Sequence, residues 1–111
     1  MSKRILVVDD DPSTRFLLRL IFEGAGHDVS EAQHGVAALI RIKDALPDLV
    51  VTDMMMPVMD GEQLVRELRS NSRTACVPIL VLSSKPNARE FAAKADAVLA
   101  SHSIEQASWR R

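Results

Sequence analysis

Short, fully apolar runs alternate along this chain with longer segments in which apolar residues recur every three or four positions. The clearest apolar runs are residues 5–8 (ILVV) and residues 49–52 (LVVT). Both runs are too short for an ordinary helix and are rich in β-branched residues, which is typical of buried strands in a parallel sheet. Between them, Leu17, Leu20 and Ile21 have helical spacing, and we expect them to form the buried stripe of a helix.

Five strands and five helices are predicted to alternate from one end of the chain to the other. The strands are expected at residues 5–9, 27–31, 49–53, 77–82 and 97–100, and the helices begin at Pro12, at Gly35, after Asp60, at Pro86 and at Ile104. Asp11 before Pro12 is a good N-cap followed by proline at the first helical position. Asp60 and Gln63 have the spacing of a capping box. This alternation predicts an α/β fold with a parallel sheet covered by helices on both faces.

Composition indicates one ordinary globular domain. The chain has 111 residues, of which 47% are hydrophobic and 26% are charged, and its formal net charge is −1. That balance gives no electrostatic attraction for nucleic acid or for an anionic membrane. A single cysteine, Cys76, is typical of a reducing compartment, and neither a signal peptide nor a membrane-spanning run is evident. We therefore expect a cytoplasmic protein that binds neither nucleic acid nor membrane.

Three aspartates come at the ends of two predicted strands. Asp9 and Asp10 close the first apolar run, and Asp53 closes the other. Ligands of open α/β sheets bind at the carboxyl ends of the strands, so neighbouring strands would bring these carboxylates together. Such crowding is unfavourable unless protons or a divalent cation relieve the repulsion. Acidic residues at strand ends also occur without any function, as the capping role of Asp11 illustrates.

The segment that follows makes a specific resemblance visible. Residues 53–61 read D-M-M-M-P-V-M-D-G, the acidic pair at residues 9–10 lies upstream, and residues 78–83 form an apolar run ending in a hydroxyl residue. In this order and spacing the chain resembles a response-regulator receiver domain of two-component signalling. The resemblance implies a flavodoxin-like, doubly wound sheet of five parallel strands in the order 2-1-3-4-5.

The resemblance also implies a role for each residue of the acidic site. Asp53 would accept a phosphoryl group from the phosphohistidine of a sensor kinase or of a phosphotransfer protein. Mg²⁺ would be held by Asp10 directly, by Asp9 through water, and by Asp53 and the backbone carbonyl of Met55. Ser83 matches the switch hydroxyl that bonds to the phosphoryl group.

Part of the family pattern is missing from this chain. Receivers carry a lysine at the end of the fifth strand, usually followed by proline, where this sequence has Ser101 and His102. The fifth-strand position of a switching aromatic is occupied by Val98, and the fourth-helix region, about residues 85–95, looks short by roughly one helical turn. Lys85 could supply the lost positive charge, or it could be an ordinary exposed lysine.

The three methionines that follow Asp53 have a prediction of their own. By alternation, Met54 and Met55 are expected to line the mouth of the site, whereas Met56 fills a gap in the core. An apolar Met55 could not position an attacking water, and a phosphate on Asp53 would then be long-lived.

Three functions are compatible with the sequence. The leading prediction is a single receiver domain over residues 1–111 with no output domain, which is phosphorylated with Mg²⁺, signals by contact with a downstream protein and is not a turnover enzyme. The second is a degenerate receiver that acts as an interaction module without phosphorylation. Ser101 favours it, while four residues of the expected site argue against it: Asp9, Asp10, Asp53 and Ser83. A small metal-dependent phosphatase ranks last because no acid for the leaving group is evident.

Overall fold

The computed structural model describes residues 2–54, 56, 58–83 and 96–100, and for residues 83 and 97–100 it describes the backbone alone. The elements are β1 (Arg4–Val8), α1 (Pro12–Gly24), β2 (Asp28–Ala32), α2 (Gly35–Asp44), β3 (Leu49–Asp53), α3 (Gly61–Ser70), β4 (Ile79–Ser83) and β5 (Ala97–Ala100). The helices predicted to begin at Pro86 and at Ile104 lie outside the described residues. Within the described part, no helix is both long enough and apolar enough to cross a bilayer.

All five strands belong to one parallel sheet with the order β2-β1-β3-β4-β5. The pairing is in register along each strand, for example Leu6 with Val50 and Val50 with Ile79. This confirms the predicted flavodoxin-like architecture and the strand order 2-1-3-4-5. Because β1 and β3 are adjacent, their carboxyl ends meet at the same edge of the sheet.

The sheet has a buried apolar core on each face, as the fully apolar strands require. Alternate residues of β1, β3 and β4 point to the side of α2 and α3, where they pack with helix residues; the main members of this core are Leu6, Val8, Val50, Ile79, Val81, Ala38, Ile42, Leu64, Val65 and Leu68. The intervening strand residues form the second core with α1; its members are Ile5, Val7, Val51, Leu82 and Leu18.

The predicted helix starts are confirmed by their capping hydrogen bonds. Asp11 accepts a hydrogen bond from the Ser13 N–H at 3.0 Å and so caps α1. Asp60 accepts from the Gln63 N–H at 2.9 Å, and the Gln63 side chain accepts from the Asp60 N–H at 3.0 Å, which completes the capping box of α3. Helix α2 begins with a cap that the sequence did not reveal, the His34 imidazole accepting from the Ala37 N–H.

The predicted buried stripe of α1 is wrong at one position. Leu20 is 54% exposed, whereas Leu18 is the fully buried residue of this helix, and Leu17 and Ile21 are only partly covered. Residues 16–22 read F-L-L-R-L-I-F, so nearly every side of the helix carries apolar residues. Helical spacing therefore could not decide which side faces the sheet.

Candidate functional site

Strand pairing brings the three predicted aspartates together. Val8 is paired with Thr52, so the residues that follow them, Asp9 and Asp53, are neighbours at the carboxyl edge of the sheet. Side-chain oxygens of Asp9, Asp10 and Asp53 all lie within 4.8 Å of one another. Asp9 is buried at 5% exposure, Asp53 is half-buried and Asp10 is exposed. The predicted convergence is therefore present, and the cluster opens to solvent on the side of Asp10.

Asp9 is held in place by three hydrogen bonds, one each to β2, to its own loop and to α1. Its N–H donates to the Ala32 carbonyl of β2 at 3.1 Å, and its carboxylate accepts the Asp11 N–H at 2.9 Å. Its carbonyl accepts a hydrogen bond from the Arg15 guanidinium of α1 at 2.7 Å. The loop between β1 and α1 is thus anchored at the residue that precedes the exposed ligand candidate Asp10.

The electrostatics of the cluster favour a proton or a cation. The pKa of the Asp9 carboxyl is raised to about 6, mainly by burial and in part by the negative charges of Asp53, Asp10 and Asp11, while the hydrogen bond from the Asp11 N–H acts in the opposite direction. A carboxyl with such a pKa is held in a site where additional negative charge is unfavourable. A bound divalent cation would relieve the same repulsion that protonation relieves.

The position of Asp53 depends on a very close approach between β3 and α3. The Gly61 N–H donates to the Met54 carbonyl at 2.8 Å. A Cβ atom at Gly61 would overlap the Asp53 carbonyl and lie 2.8 Å from the Met54 Cα, both of them backbone atoms. The glycine that ends the D-M-M-M-P-V-M-D-G segment is therefore required by packing directly behind the aspartate.

The loop between Asp53 and α3 also contains an unfavourable backbone conformation. Val58 has a φ of 70°, and its side chain is 87% exposed. Left-handed φ values are rare for a β-branched residue, because the Cβ substituents crowd the backbone. This loop therefore carries backbone strain beside the acidic cluster.

The remaining predicted site residues are described only in part. Leu82 pairs with Asp53, and the Met54 N–H donates to the Leu82 carbonyl at 3.1 Å, so Ser83 ends β4 at the same edge of the sheet as the aspartates. The described structure includes the Ser83 backbone but not its side chain. Three further predicted positions, Met55, Lys85 and Ser101, lie outside the described residues.

Two of the three methionine predictions fall on described residues: the prediction for Met56 is confirmed and that for Met54 is wrong. Met56 is buried at 9% exposure in the core between the sheet and helices α2 and α3, as predicted. Met54 was expected at the mouth of the site, but it is 3% exposed and belongs to the same core. The reason is tertiary: α3 begins directly against the Met54 backbone and covers the residue.

A network of charged side chains next to the cluster was missed by the sequence analysis. The Arg15 Nε donates to one carboxylate oxygen of Glu31 at 2.9 Å, and the Arg19 Nε donates to the other at 2.7 Å. Arg19 also pairs with Glu23 at 2.8 Å. The pKa of Glu31 is lowered by Arg19 and then by Arg15, against the effect of burial. Only the fold brings Glu31 of β2 to α1, so no local pattern could have identified the pair.

The donor set of the cluster fits a hard divalent cation. Its three members offer carboxylate oxygens, which are the preferred ligands of Mg²⁺, and one side of the cluster is open to water. Mg²⁺ is usually held by one or two carboxylates together with waters and substrate phosphate oxygens, rather than by a closed protein cage. Asp9, Asp10 and Asp53 are the residues that would hold it.

The family model for the response regulator receiver domain matches residues 5–102. The chain belongs to this family. It is thus a receiver domain of two-component signalling, and the predicted resemblance is confirmed.

Similar proteins include response regulators of bacteria. Response regulator MprA of Mycobacterium sp. (strain KMS) is 45% identical over 97 residues, which cover 87% of this chain and 41% of that protein. The DNA-binding response regulator MtrA of Mycolicibacterium smegmatis is 42% identical over 85 residues, 77% of this chain and 36% of the relative. The chain thus spans less than half of the length of these curated relatives.

Solved structures of receiver domains superimpose closely on the fold. The receiver domain of the Francisella response regulator 1452 has a TM-score of 0.83 and 30% identity, covering 97% of this chain and 92% of that one. The response regulator TrrA of Thermotoga maritima, solved in complex with Mg²⁺-BeF, has a TM-score of 0.82 and 28% identity, covering 96% and 97% of the two chains.

Proposed function

We propose that this receiver domain is a phosphoacceptor, with Asp53 taking a phosphoryl group from a phosphohistidine in the presence of Mg²⁺. The observation that carries the proposal is the convergence of Asp9, Asp10 and Asp53, whose side-chain oxygens lie within 4.8 Å of one another. Asp53 is the half-buried member and is the last residue of the buried strand β3, which places it at the carboxyl edge of the sheet. The Mg²⁺ complex of the related TrrA structure supports the choice of cation.

In the proposed reaction, an oxygen of the Asp53 carboxylate forms a bond to phosphorus while the phosphorus–nitrogen bond of the donor histidine breaks. The electron pair of that bond stays on the imidazole, which then takes a proton from solvent. Bound Mg²⁺ would supply neutralisation of the charge on the phosphoryl oxygens. The protein contributes position and electrostatics, because Asp9 and Asp10 would hold the cation next to the attacking oxygen of Asp53. Asp53 is itself modified, so the protein does not turn over an external substrate.

The proposed partners follow from the same role. The donor would be a sensor histidine kinase or a phosphotransfer protein, and the phosphorylated domain would act by contact with a downstream protein. Support for the donor class comes from the sensor histidine kinase TmoS of Ectopseudomonas mendocina, which contains a segment 42% identical to 84 residues of this chain. Ser83 would bond to the phosphoryl group from the end of β4, where its backbone lies at the edge that carries Asp53.

A phosphorylation assay tests the proposal directly. The protein is incubated with Mg²⁺ and a small phosphodonor such as acetyl phosphate, and intact-mass and peptide mass spectrometry are used to find one phosphoryl group on Asp53. Asp53→Asn should abolish the modification. The matched control is Asp11→Asn, which changes a nearby aspartate whose role is to cap α1 and should leave the modification in place. A parent protein that stays unmodified would overturn the proposal.

The second candidate function is a receiver that signals without phosphorylation, and Ser101 in place of the family's lysine favours it. A lysine at this position would contact the phosphoryl group, so its absence removes a charge-assisted hydrogen bond that is specific to the phosphorylated state. We expect slow phosphorylation of the parent and a faster reaction of Ser101→Lys. If the parent already reacts as fast as Ser101→Lys, another cation, such as Lys85, has taken over the role.

A further inference from the structure

Arg15 lies next to the acidic cluster, but its hydrogen bonds go to the Asp9 backbone carbonyl and to Glu31 rather than to a carboxylate of the cluster. Its Nη1 donates to the Asp9 backbone carbonyl at 2.7 Å, while its Nε donates to Glu31 at 2.9 Å. The Arg15 side chain is only 15% exposed, so both hydrogen bonds are largely screened from water. A guanidinium is planar and its donors have fixed directions. Two such bonds on opposite acceptors therefore define its orientation.

Glu31 determines where the Arg15 guanidinium can lie. It is on β2, the strand next to β1, and its second oxygen is taken by Arg19 at 2.7 Å. Glu31 is thus fixed from two sides, and it fixes Arg15 in turn. The contact to the Asp9 carbonyl is a connection between the sheet, α1 and the loop that carries the acidic pair.

The Asp9 carbonyl belongs to the peptide group that joins Asp9 to Asp10. Rotation of this peptide group would redirect the Asp10 side chain and change its distance from Asp53. Mutual repulsion among the three carboxylates favours such a movement whenever no cation is bound. A hydrogen bond from a charged donor opposes it, because it would have to be broken first.

We infer that Arg15, oriented by Glu31, is a positioning residue for the acidic cluster: it fixes the Asp9–Asp10 peptide so that three mutually repelling carboxylates stay close enough to share a divalent cation. This inference rests on the proposed function, which assigns Mg²⁺ to the cluster. It adds a residue outside the ligand set that determines how well that set is organised.

The first test is the Mg²⁺ affinity of four variants, measured by calorimetry. Arg15→Met should weaken binding about tenfold, as is usual when a group that orients a metal ligand is lost. Glu31→Gln should weaken binding less, since Arg15 keeps its bond to Asp9 but loses its orienting charge. Arg15→Lys retains one donor and should fall between Arg15→Met and the parent.

Arg19→Met is the matched control. It removes the same charge from the same glutamate, but the hydrogen bonds of Arg19 go to Glu31 and Glu23 and not to Asp9. Removing a nearby positive charge by itself should strengthen the binding of a cation. Weaker binding in Arg15→Met together with unchanged or tighter binding in Arg19→Met is therefore the signature of positioning. Equal effects of the two variants would overturn the inference.

A metal-free measurement separates this inference from the proposed function. The Asp11 N–H donates to the Asp9 carboxylate at 2.9 Å. The hydrogen-exchange rate of the Asp11 amide therefore reports how often this hydrogen bond in the β1–α1 loop is broken. Exchange should be faster in Arg15→Met than in Arg19→Met, with far-UV circular dichroism confirming that both are folded. If the parent binds no Mg²⁺ but this difference is present, the metal assignment fails while the positioning role stands. If Mg²⁺ binds and exchange is the same in both variants, the positioning role fails.

Discussion

Two charged clusters meet at Asp9, one made of like charges and the other of opposite charges. In the acidic cluster Asp9 faces Asp10 and Asp53, and the pKa of Asp9 is raised to about 6. In the neighbouring network Glu31 lies between Arg15 and Arg19, and the pKa of Glu31 is lowered. Burial is the main cause of the raised pKa of Asp9, and the like charges around it act in the same direction. At Glu31 burial also raises the pKa, but the hydrogen bonds and positive charges of Arg19 and Arg15 outweigh it.

This contrast separates a cluster that lowers stability from one that contributes to it. Carboxylates that are kept together against their own repulsion reduce stability and are retained where a ligand is to be bound. Alternating charges with good hydrogen-bond geometry contribute to stability instead. The two clusters are nevertheless joined, because Arg15 donates to both Glu31 and the Asp9 carbonyl. By our inference, Arg15 is the link through which the Glu31 network would keep the acidic cluster organised.

The largest expected effect is on the pH dependence of the metal-free protein. Because the folded pKa of Asp9 is raised from 3.8 to about 6, the folded state binds the proton more tightly than the unfolded state. This contribution to stability is fully present below about pH 4 and is lost as the pH rises through about 6. Asp9→Asn should therefore stabilise the protein by on the order of 3 kcal/mol at neutral pH and by little in acid.

Urea denaturation in EDTA across this pH range measures the difference. The exposed Asp44 at the end of α2 offers the control Asp44→Asn, which should not reproduce the effect. If the free energy of unfolding depends on pH in the same way for Asp9→Asn and the parent, the Asp9 carboxylate is not in an unfavourable environment. The two clusters would then not differ in their effect on stability.

The next effect concerns the Glu31 network. Arg15→Met removes two partly buried charge-assisted hydrogen bonds and should lower the free energy of unfolding by about 1.5 kcal/mol. Arg66 pairs with Glu62 on the surface of α3, where its side chain is 63% exposed, and Arg66→Met should cost only about 0.3 kcal/mol. Chemical denaturation of both variants measures the two losses in the free energy of unfolding. Equal losses would mean that the network is an ordinary set of surface ion pairs.

Binding of Mg²⁺ should offset the loss of stability that repulsion among the three carboxylates causes. At about ten times its dissociation constant, a cation bound only by the folded state adds about 1.4 kcal/mol to the free energy of unfolding. Thermal melts with and without millimolar Mg²⁺ detect this as a rise in Tm. Asp53→Asn should weaken the rise. If Mg²⁺ changes the Tm of neither the parent protein nor Asp53→Asn, the cluster is not a metal site.

A smaller effect is expected from the exposed member of the cluster. Asp10→Asn removes one like charge near Asp9 and Asp53 and should stabilise the metal-free protein by no more than about 1 kcal/mol, because solvent screens Asp10. The gain should shrink in high salt. Destabilisation by Asp10→Asn would identify the aspartate as a structural residue.

The smallest expected effect tests strain rather than charge. Val58 has a φ of 70° in the loop beside the cluster, a conformation that glycine adopts without a steric penalty. Val58→Gly should raise the free energy of unfolding by about 0.5 kcal/mol, the relief of strain being partly offset by the greater freedom of glycine in the unfolded chain. Denaturation at neutral pH provides the measurement. Lower stability would show that the valine side chain makes a useful contact.

Much of the fold and of the acidic site could be predicted from the sequence because the signals are local. Apolar runs identify strands by their own composition, and Asp11 and Asp60 cap helices through hydrogen bonds that span two or three residues. The meeting of Asp9 with Asp53 was predictable once the resemblance to receiver domains supplied the strand order, since parallel neighbouring strands end at one edge of a sheet. These features need no knowledge of side-chain packing.

The tertiary structure alone decided the features that depend on distant segments. Leu18 rather than Leu20 is buried because the sheet selects one side of a helix that is apolar nearly all round. Met54 is buried because α3 covers it, and Arg15 is fixed because β2 presents Glu31 to it. Each outcome requires contacts between residues far apart in the chain, which no local pattern of hydrophobic and polar positions can specify.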